Sequence, residues 1–383
     1  MFSLSGQGWF HSGPKIMEWT HPLLIGLAMG HDEVATTHQK EDGATMKITT
    51  IGLDIAKSVF HFVAVNQAGK LVKKKMLKRK DVLHFVAKIE PCLIVMEACG
   101  SANYWAREFK KLGHQVKLIA PQFVIPYRQG NKNDYNDALA IAEAAQRPNM
   151  RFVQPKPVEQ QDIQMLHRMR ERLNKQTTAL VNQVRGMLAE YGIVIAKNKA
   201  AFRTSFPDIL SDESNELTVK GRYIFTQLHE EFTDIEKRLK SCDAQILEER
   251  NTNPVCQRLE TTPGIGPITS TAFYAAVGEG KDFSNGRHFS AWCGLVPKQH
   301  SSGGKDNLLG ISKRGNAYLR TLFIHGARAV LQHCGGKQDR LSRWAYALAE
   351  RKGFNKACVA VANKLARMAW AIAAREDEYR TFA

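Results

Sequence analysis

Apolar and polar positions change their period along this chain. From residue 47 the pattern is that of strands: KITTIGLDIA (47–56) is a β-branched apolar run, VFHFVAVN (59–66) alternates, and KLVKKKML (70–77) alternates with a charged edge. QAG (67–69) supplies turn chemistry between the second and third runs. A short helix is predicted over 80–89, and a strand over PCLIVMEAC (91–99), whose unbroken apolar run marks burial on both faces. A helix over 103–112, a strand over QVKLIAP (115–121) and an alanine-rich helix within GNKNDYNDALAIAEAAQ (130–146) complete the order β-β-β-α-β-α-β-α. That order describes a hairpin-led mixed sheet with helices packed on it, an α/β domain over residues 46–155.

Beyond Pro155 the spacing becomes helical. Ile163, Leu166, Met169, Leu173, Leu180, Val184, Met187 and Tyr191 mark one stripe, and Phe225, Leu228, Phe232, Ile235, Leu239, Cys242 and Ile246 mark another with spacings of three and four. Two antiparallel coiled-coil helices, with residues 200–216 as the bend between them, are predicted for a central dimerisation region over 156–252; two ordinary amphipathic helices of a bundle fit the same pattern. The remainder, 253–383, reads as mainly helical. Its opening stretch LETTPGIGPITSTAFYAAVG (259–278) has the form of a helix-hairpin-helix, and KGFNKACVAVANKLARMAWAIAARE (352–376) is a packing helix whose Lys356, Lys364 and Arg367 also offer a face for contact with a nucleic-acid backbone. Residues 1–45 differ from the rest: they contain Gly, His and only two lysines, without periodicity. We expect a disordered upstream extension there, with Met46 as the natural start.

Charge narrows the partners. The 383 residues contain 54 Lys+Arg against 37 Asp+Glu, a formal net charge of +17, which favours a polyanion, nucleic acid before a membrane surface. No apolar run is expected to span a membrane; HPLLIGLAMGH (21–31) is too short, and it lacks the basic cluster and cleavage site of a signal peptide. Seven cysteines without a C-x-x-C pair point to a reducing cytoplasm, with neither a disulfide framework nor a zinc site.

In so basic a chain the placement of carboxylates carries information. Asp134 and Asp137 stand one turn apart at a helix entrance, where capping and the helix dipole alone would explain them. Asp54, however, interrupts the first apolar strand, and Glu97 ends the fourth. If those strands are neighbours and the alanine-rich helix crosses beside them, all four acids meet at one sheet edge. Gathered carboxylates repel one another unless cations bind them, and hard oxygen ligands suit Mg2+ or Mn2+. Two such ions about 4 Å apart can clamp the attacking and leaving oxygens of a phosphodiester exchange. Two further candidates lie downstream. Gly264 and Gly266, in PGIGP, offer backbone N–H groups to a phosphate, although a plain turn between helices needs the same residues. In GLVPKQHSSGGKDNLLGISKRGNAYLR (294–320), Ser301 and Ser302 are flanked by glycines and by Lys298, Lys305, Lys313 and Arg314. A hydroxyl among backbone amides and fixed cations can act as a nucleophile towards phosphate; a flexible polar turn is the plainer alternative.

The motifs GLDIAK, VMEACG, KNDYNDA, TTPGIGPIT and GLVPKQHSSGG…ISKRGNAYLR occur in this order. Together they resemble the DEDD transposases of the insertion sequence 110 / 1111 family, over about residues 46–376, with the HSSGG and KNDYNDA forms nearer the 1111 branch. The order of elements is that of a ribonuclease-H-like domain. The resemblance implies a RuvC-like amino-terminal domain in which Asp54, Glu97, Asp134 and Asp137 hold divalent metal. It also implies a carboxy-terminal transposase domain in which Ser302, just before Gly303, attacks DNA, although the doubled serine leaves Ser301 in contention. Further implications are a noncoding guide RNA that pairs with donor and target DNA, and a homo-oligomer, a dimer or tetramer. A metal-dependent nuclease or junction resolvase would share the acids but would not need the serine loop. A sugar kinase would need a second glycine-rich phosphate loop, and a DNA-bridging protein would have no reason to cluster acids.

Overall fold

A sheet of six strands anchors the first half of the described chain. The computed structural model describes residues 47–130 and 133–380, all within a compact unit that begins at Met46. The expected upstream extension lies outside the described residues.

The strands are β1 (Thr50–Ile55), β2 (Val59–Val65), β3 (Leu71–Lys78), β4 (Leu93–Glu97), β5 (Gln115–Ile119) and β6 (Phe152–Val153), in the spatial order β3-β2-β1-β4-β5-β6. β1 runs antiparallel to β2 and parallel to β4, so the first and fourth strands are neighbours as expected and the sheet is mixed. Helices α1 (Val82–Val86), α2 (Ala102–Lys111), α3 (Pro121–Val124) and α4 (Asp134–Ala145) connect them. The pleat sends alternate residues to opposite faces. Ile51, Leu53, Phe60, Phe62, Ile94 and Met96 pack on Trp105, Ala106 and Phe109 of α2. The other face carries α4, with Val95 and Ile119 against Ala140, Ile141 and Ala144, and Val63 and Val65 against Ala138 and Ala142. Two elements here escape periodicity reading: α3, where a loop is expected, and β6. Four and two residues are too few to display a period.

Helices α5 (Val158–Ala189) and α7 (Val219–Thr252) pack antiparallel. Arg170 Nε meets Asp243 Oδ1 at 2.5 Å near one end, and the Tyr191 and Phe225 rings meet at 6.2 Å near the other. Between them residues expected as a bend form a true helix, α6 (Lys199–Ser211), despite Pro207 within it. Its Phe202 and Phe206 are fully buried against α7, with Phe202 edge-on to Phe232 at 5.0 Å. The α5 stripe is also not uniform: Met169 is 41% exposed. There the buried side of the helix has turned to His167, whose ring nitrogens reach Tyr318 Oη at 3.1 Å and Thr271 Oγ1 at 3.0 Å.

The last part comprises α8 (Pro254–Glu260), α9 (Pro267–Val277), α10 (Gly286–Trp292), a two-stranded hairpin β7 (Pro297–Gln299) and β8 (Leu308–Ile311), then α11 (Ala317–Gln332), α12 (Arg340–Lys352) and α13 (Phe354–Arg375). By length and composition α13 meets the requirement for crossing a membrane, which corrects the expectation that no apolar run approaches it. Its Val361, Ala362, Leu365, Ala366 and Ala369 are fully buried in one core with Phe273, Phe289 and Phe323, which accounts for the apolar run without a bilayer.

Candidate active site

Strand parity delivers the first two acids. Ile51 and Leu53 occupy the α2 side of β1, so Gly52 and Asp54 take the α4 side; Ile94 and Met96 likewise leave Val95 and Glu97 facing α4. Gly52 then sets how near α4 can come. A Cβ at this position would lie 2.1 Å from Ala138 O and 2.7 Å from Ala142 N, so helix backbone rests directly on strand backbone. Only glycine opposite small residues permits that approach. At the entrance of α4 the cap is Asn133, whose side chain accepts from Tyr135 N at 2.9 Å. Asp134 and Asp137 are thereby released from capping.

One carboxylate oxygen from each of Asp54, Asp134 and Asp137 lies within 4.8 Å of the others. Asp137 is buried, Asp54 half-buried and Asp134 exposed. Burial, then the charges of Asp137 and Asp134, push the Asp54 carboxyl above its ordinary range. Burial, then Asp54, do the same to Glu97, with Arg128 opposing and Asp137 adding to the shift. Glu97 thus belongs to the electrostatic cluster, although among the described residues it is the three aspartates that meet at ligand distance. Raised carboxyl pKa values at a shared site are the mark of charges awaiting a cation. Asp137 Oδ1 is buried and ion-paired with Arg128 Nε at 2.5 Å, and neither atom makes a hydrogen bond among the described residues. Three carboxylates so gathered, with one arginine against Asp137, fit a hard divalent ion such as Mg2+ or Mn2+.

Two residues at this centre were not singled out from sequence. His61 pairs in register with Asp54, lies edge-on to Tyr135 at 4.8 Å and brings Nδ1 to 3.5 Å from Asp134 Oδ2. Its alternation with Phe60 and Phe62 places it on the acid side, so strand parity alone was a usable signal. Arg128 follows a turn of 3-10 helix, Ile125–Tyr127, and no pattern announces it.

The serine loop is a separate, exposed structure. Gly303 and Gly304 both have positive φ, 56° and 76°, and Lys305 N donates to Ser302 O at 3.1 Å. Two consecutive left-handed residues make a tight hairpin turn that suits glycine. Ser302 sits at its first corner. Ser301 Oγ donates to Asp306 Oδ1 at 2.8 Å and accepts from Gln299 Nε2 at 2.8 Å, whereas the Ser302 hydroxyl has no such tie among the described residues. Lys298, Lys305, Lys313 and Arg314 are all exposed; Lys305 closes the turn with Ser302, whereas Lys313 N donates to Gly294 O at 3.2 Å at the far end of the hairpin. Among the described residues, the groups that shift Asp54 and Glu97 are Asp134, Asp137, His61 and Arg128 with each other, none of them from this hairpin.

The other glycine pair divides. Gly264 has φ 82°, and a Cβ there would lie 2.7 Å from Gly326 O, so α11 packs directly on the turn between α8 and α9. Gly266 has open space around the same position.

Two family models match the chain. One, for DEDD transposases of the IS110 type and described as Transposase, covers residues 51–193; the other, described as Transposase IS116/IS110/IS902 family, covers residues 256–343. The chain is similar to the transposase for insertion sequence element IS1111A of Coxiella burnetii, 44% identical over 94% of this chain and 98% of the relative. It is also similar to a probable family 20 transposase of Pseudomonas aeruginosa, 46% identical over 88% of this chain and 99% of the relative. The transposase for insertion sequence element IS1328 of Yersinia enterocolitica is 37% identical over 85% and 96%. An acid cluster on a mixed sheet, a glycine-turned serine hairpin and relatives matched nearly end to end lead to one conclusion: the chain belongs to the IS110/IS1111 family of transposases.

Proposed function

We propose that this chain excises and inserts an insertion sequence by metal- and serine-dependent cleavage and exchange of DNA strands, directed by a noncoding guide RNA. The observation that carries the proposal is the meeting of Asp54, Asp134 and Asp137 within 4.8 Å. Asp54, Glu97, Asp134 and Asp137 hold Mg2+ or Mn2+, which when bound supplies charge neutralisation at the phosphodiester oxygens. Ser302 Oγ forms a bond to phosphorus as a deoxyribose oxygen leaves; the serine proton passes out and the leaving oxygen gains one, so one phosphodiester replaces another without an energy source. Lys305 beside the hydroxyl, and Lys298, Lys313 and Arg314 further along the hairpin, hold phosphate oxygens of the bound strand. The turn of α8 and α9, read as a helix-hairpin-helix, offers the backbone near Gly264 and Gly266 to a DNA phosphate. Ser301 is the anchor, since Asp306 and Gln299 already hold it.

The division proposed is a RuvC-like catalytic domain over 46–155, a dimerising antiparallel coiled coil over 156–252 and a transposase domain over 253–383. The acids and the serine meet between chains: the α5–α7 pair, already packed on itself within one chain, meets a partner's pair through its outer faces and places each acid cluster beside the partner's serine hairpin. Exposed Leu308 and Leu309 on β8, 62% and 47% accessible, support a partner for that hairpin. Family membership supports the guide RNA and the DNA substrate.

Denatured reactions on supercoiled donor DNA with Mg2+ test the chemistry. Protein covalently joined to DNA is expected from the unsubstituted chain and from Ser301→Ala, and is expected to vanish with Ser302→Ala. Cleavage without an adduct in every case would replace this reading with a metal-dependent nuclease or junction resolvase that uses water.

A further inference from the structure

The carboxy-terminal domain holds a second charge concentration, opposite in sign to the first. Arg287, Lys364, Arg367 and Arg375 line one groove of about 510 Å3, between the start of α10 and the outer side of α13, with no carboxylate in its wall. On α13, Lys364, Arg367, Ala371 and Arg375 recur at helical spacing on one stripe. Val361, Leu365, Ala369 and Ile372 on the opposite stripe are buried in the domain core. The acids next in sequence face other cations: Glu376 approaches Lys281 at 4.0 Å and Asp377 approaches Arg380 at 3.4 Å. Lys364 is half-buried, with its ammonium over the Trp344 ring at 4.3 Å. Burial, then Arg340 and Arg367, hold its pKa below the ordinary lysine range. Asp377 and Glu378 line the adjoining groove with Lys364 and Arg375, while the wall shared with Arg287 and Arg367 holds no acid, so cations gathered there against their own repulsion favour an external anion.

We propose that Arg287, Lys364, Arg367 and Arg375 form a phosphate-binding groove that holds the backbone of the DNA duplex on which Ser302 acts. This rests on the serine reading above. The groove is packed against the segment that leads into the serine hairpin. Gly286 of α10 lies so close to α13 that a Cβ would stand 2.9 Å from Arg367 O. Asn363, beside Lys364, donates to Leu295 O at 3.2 Å, two residues ahead of β7. α10 then runs through Cys293 and Gly294 directly into that strand. A duplex held on α13 therefore lies beside the segment that carries the hairpin. From Lys364 to Arg375 the stripe extends about 16 Å at 1.5 Å per residue, enough to follow several phosphates of one strand.

The test measures binding of the full-length chain, with Mg2+ omitted, to a fluorescent DNA duplex across a salt series. Arg287→Ala, Arg367→Ala and Arg375→Ala are combined; Lys364 is kept because it packs on Trp344. Each lost phosphate contact lowers the slope of log K against log salt by about 0.9, so a fall of up to about 2.7 is expected, with at least tenfold weaker binding at low salt. A control removes the same charge at Lys197, Lys220 and Lys237, exposed residues around α6 and α7, and is expected to change the slope by less than half as much. An unchanged slope in the groove variant, or an equal fall in the control, would overturn the groove. A loss confined to an RNA duplex of the same length would overturn its assignment to DNA. Because no bond is broken in this assay, its outcome is independent of the serine adduct: an adduct with normal groove-variant binding rejects the groove alone, and a binding loss without any adduct rejects the serine chemistry alone.

Discussion

Gly52 shows how a residue with no side chain positions a centre made of side chains. Alanine there would place a methyl 2.1 Å from Ala138 O and 2.9 Å from Ala142 Cβ, so α4 must lift and carry Asp134 and Asp137 away from Asp54. We expect Gly52→Ala to cost about 1–3 kcal/mol of stability in denaturant titrations and to reduce strand cleavage by at least a hundredfold. Normal cleavage by this variant would show that the close packing does not set the cluster. Asp54 leads to a second expectation. Its carboxyl and that of Glu97 have raised pKa values in the fold, so the folded chain holds these protons more tightly than the unfolded one. Their contribution to stability is present at low pH and is lost as pH rises from the ordinary carboxyl range through the raised values. In chelator, stability should fall over that window, and Asp54→Asn should flatten the fall and raise the melting temperature at neutral pH. Adding Mg2+ should stabilise the unsubstituted chain, by about 2.7 kcal/mol at a hundred times its dissociation constant, and should do far less for Asp54→Asn. A Mg2+-induced shift in melting temperature of the same size in both would argue against a metal held there.

Among the elements, α5 matters because its two halves are buried for different reasons. Its far half packs Leu180, Val184 and Leu188 against α7 and the phenylalanines of α6. Its near half is tied to α9 and α11 through buried His167, which burial, then Arg170 and Arg168, hold at a pKa of about 4 rather than the ordinary 6.5. The folded chain keeps this ring neutral, so as pH falls the unfolded chain takes up the proton first. Stability from this contact is complete above about 6.5 and lost as pH falls towards 4, on the order of 3 kcal/mol if the link is intact throughout. Urea midpoints at pH 7 and pH 5 should therefore differ more for the unsubstituted chain than for His167→Gln. Equal differences would mean that the ring is not held neutral by the fold.

The whole assembly is best interrogated with unlike partners. A heterodimer joining an Asp54→Asn chain to a Ser302→Ala chain has one centre doubly dead and one intact if acids and serine meet across chains. It has two singly dead centres if each chain is self-contained. We expect cleavage of one strand and one serine adduct from purified heterodimers. Their loss, beside active unsubstituted controls, would return both groups to one chain.

Periodicity, turn chemistry and the isolation of acids in apolar strands were enough to place five of the first sheet's six strands in chain order, Asp54 and Glu97 near strand ends, and Asp134 with Asp137 at a helix entrance. These are local properties: strand parity and helix spacing follow from backbone geometry, and a short motif carries them whole. The family likeness was legible for the same reason, since each motif is a run of neighbouring residues. Tertiary structure decided what depends on contacts between distant segments. Asn133, not either aspartate, caps α4; His61 and Arg128 join the acids; Ser301 is tied to Asp306 while Ser302 is not. Residues 200–216, expected as the bend between the two long helices, contain a helix because Phe202 and Phe206 find a buried seat against Phe225 and Phe232. The four cations of the groove come from α10 and from successive turns of α13, and no period in the chain connects Arg287 to Arg367. Burial and charge at such places are sums over neighbours that only the folded chain brings together.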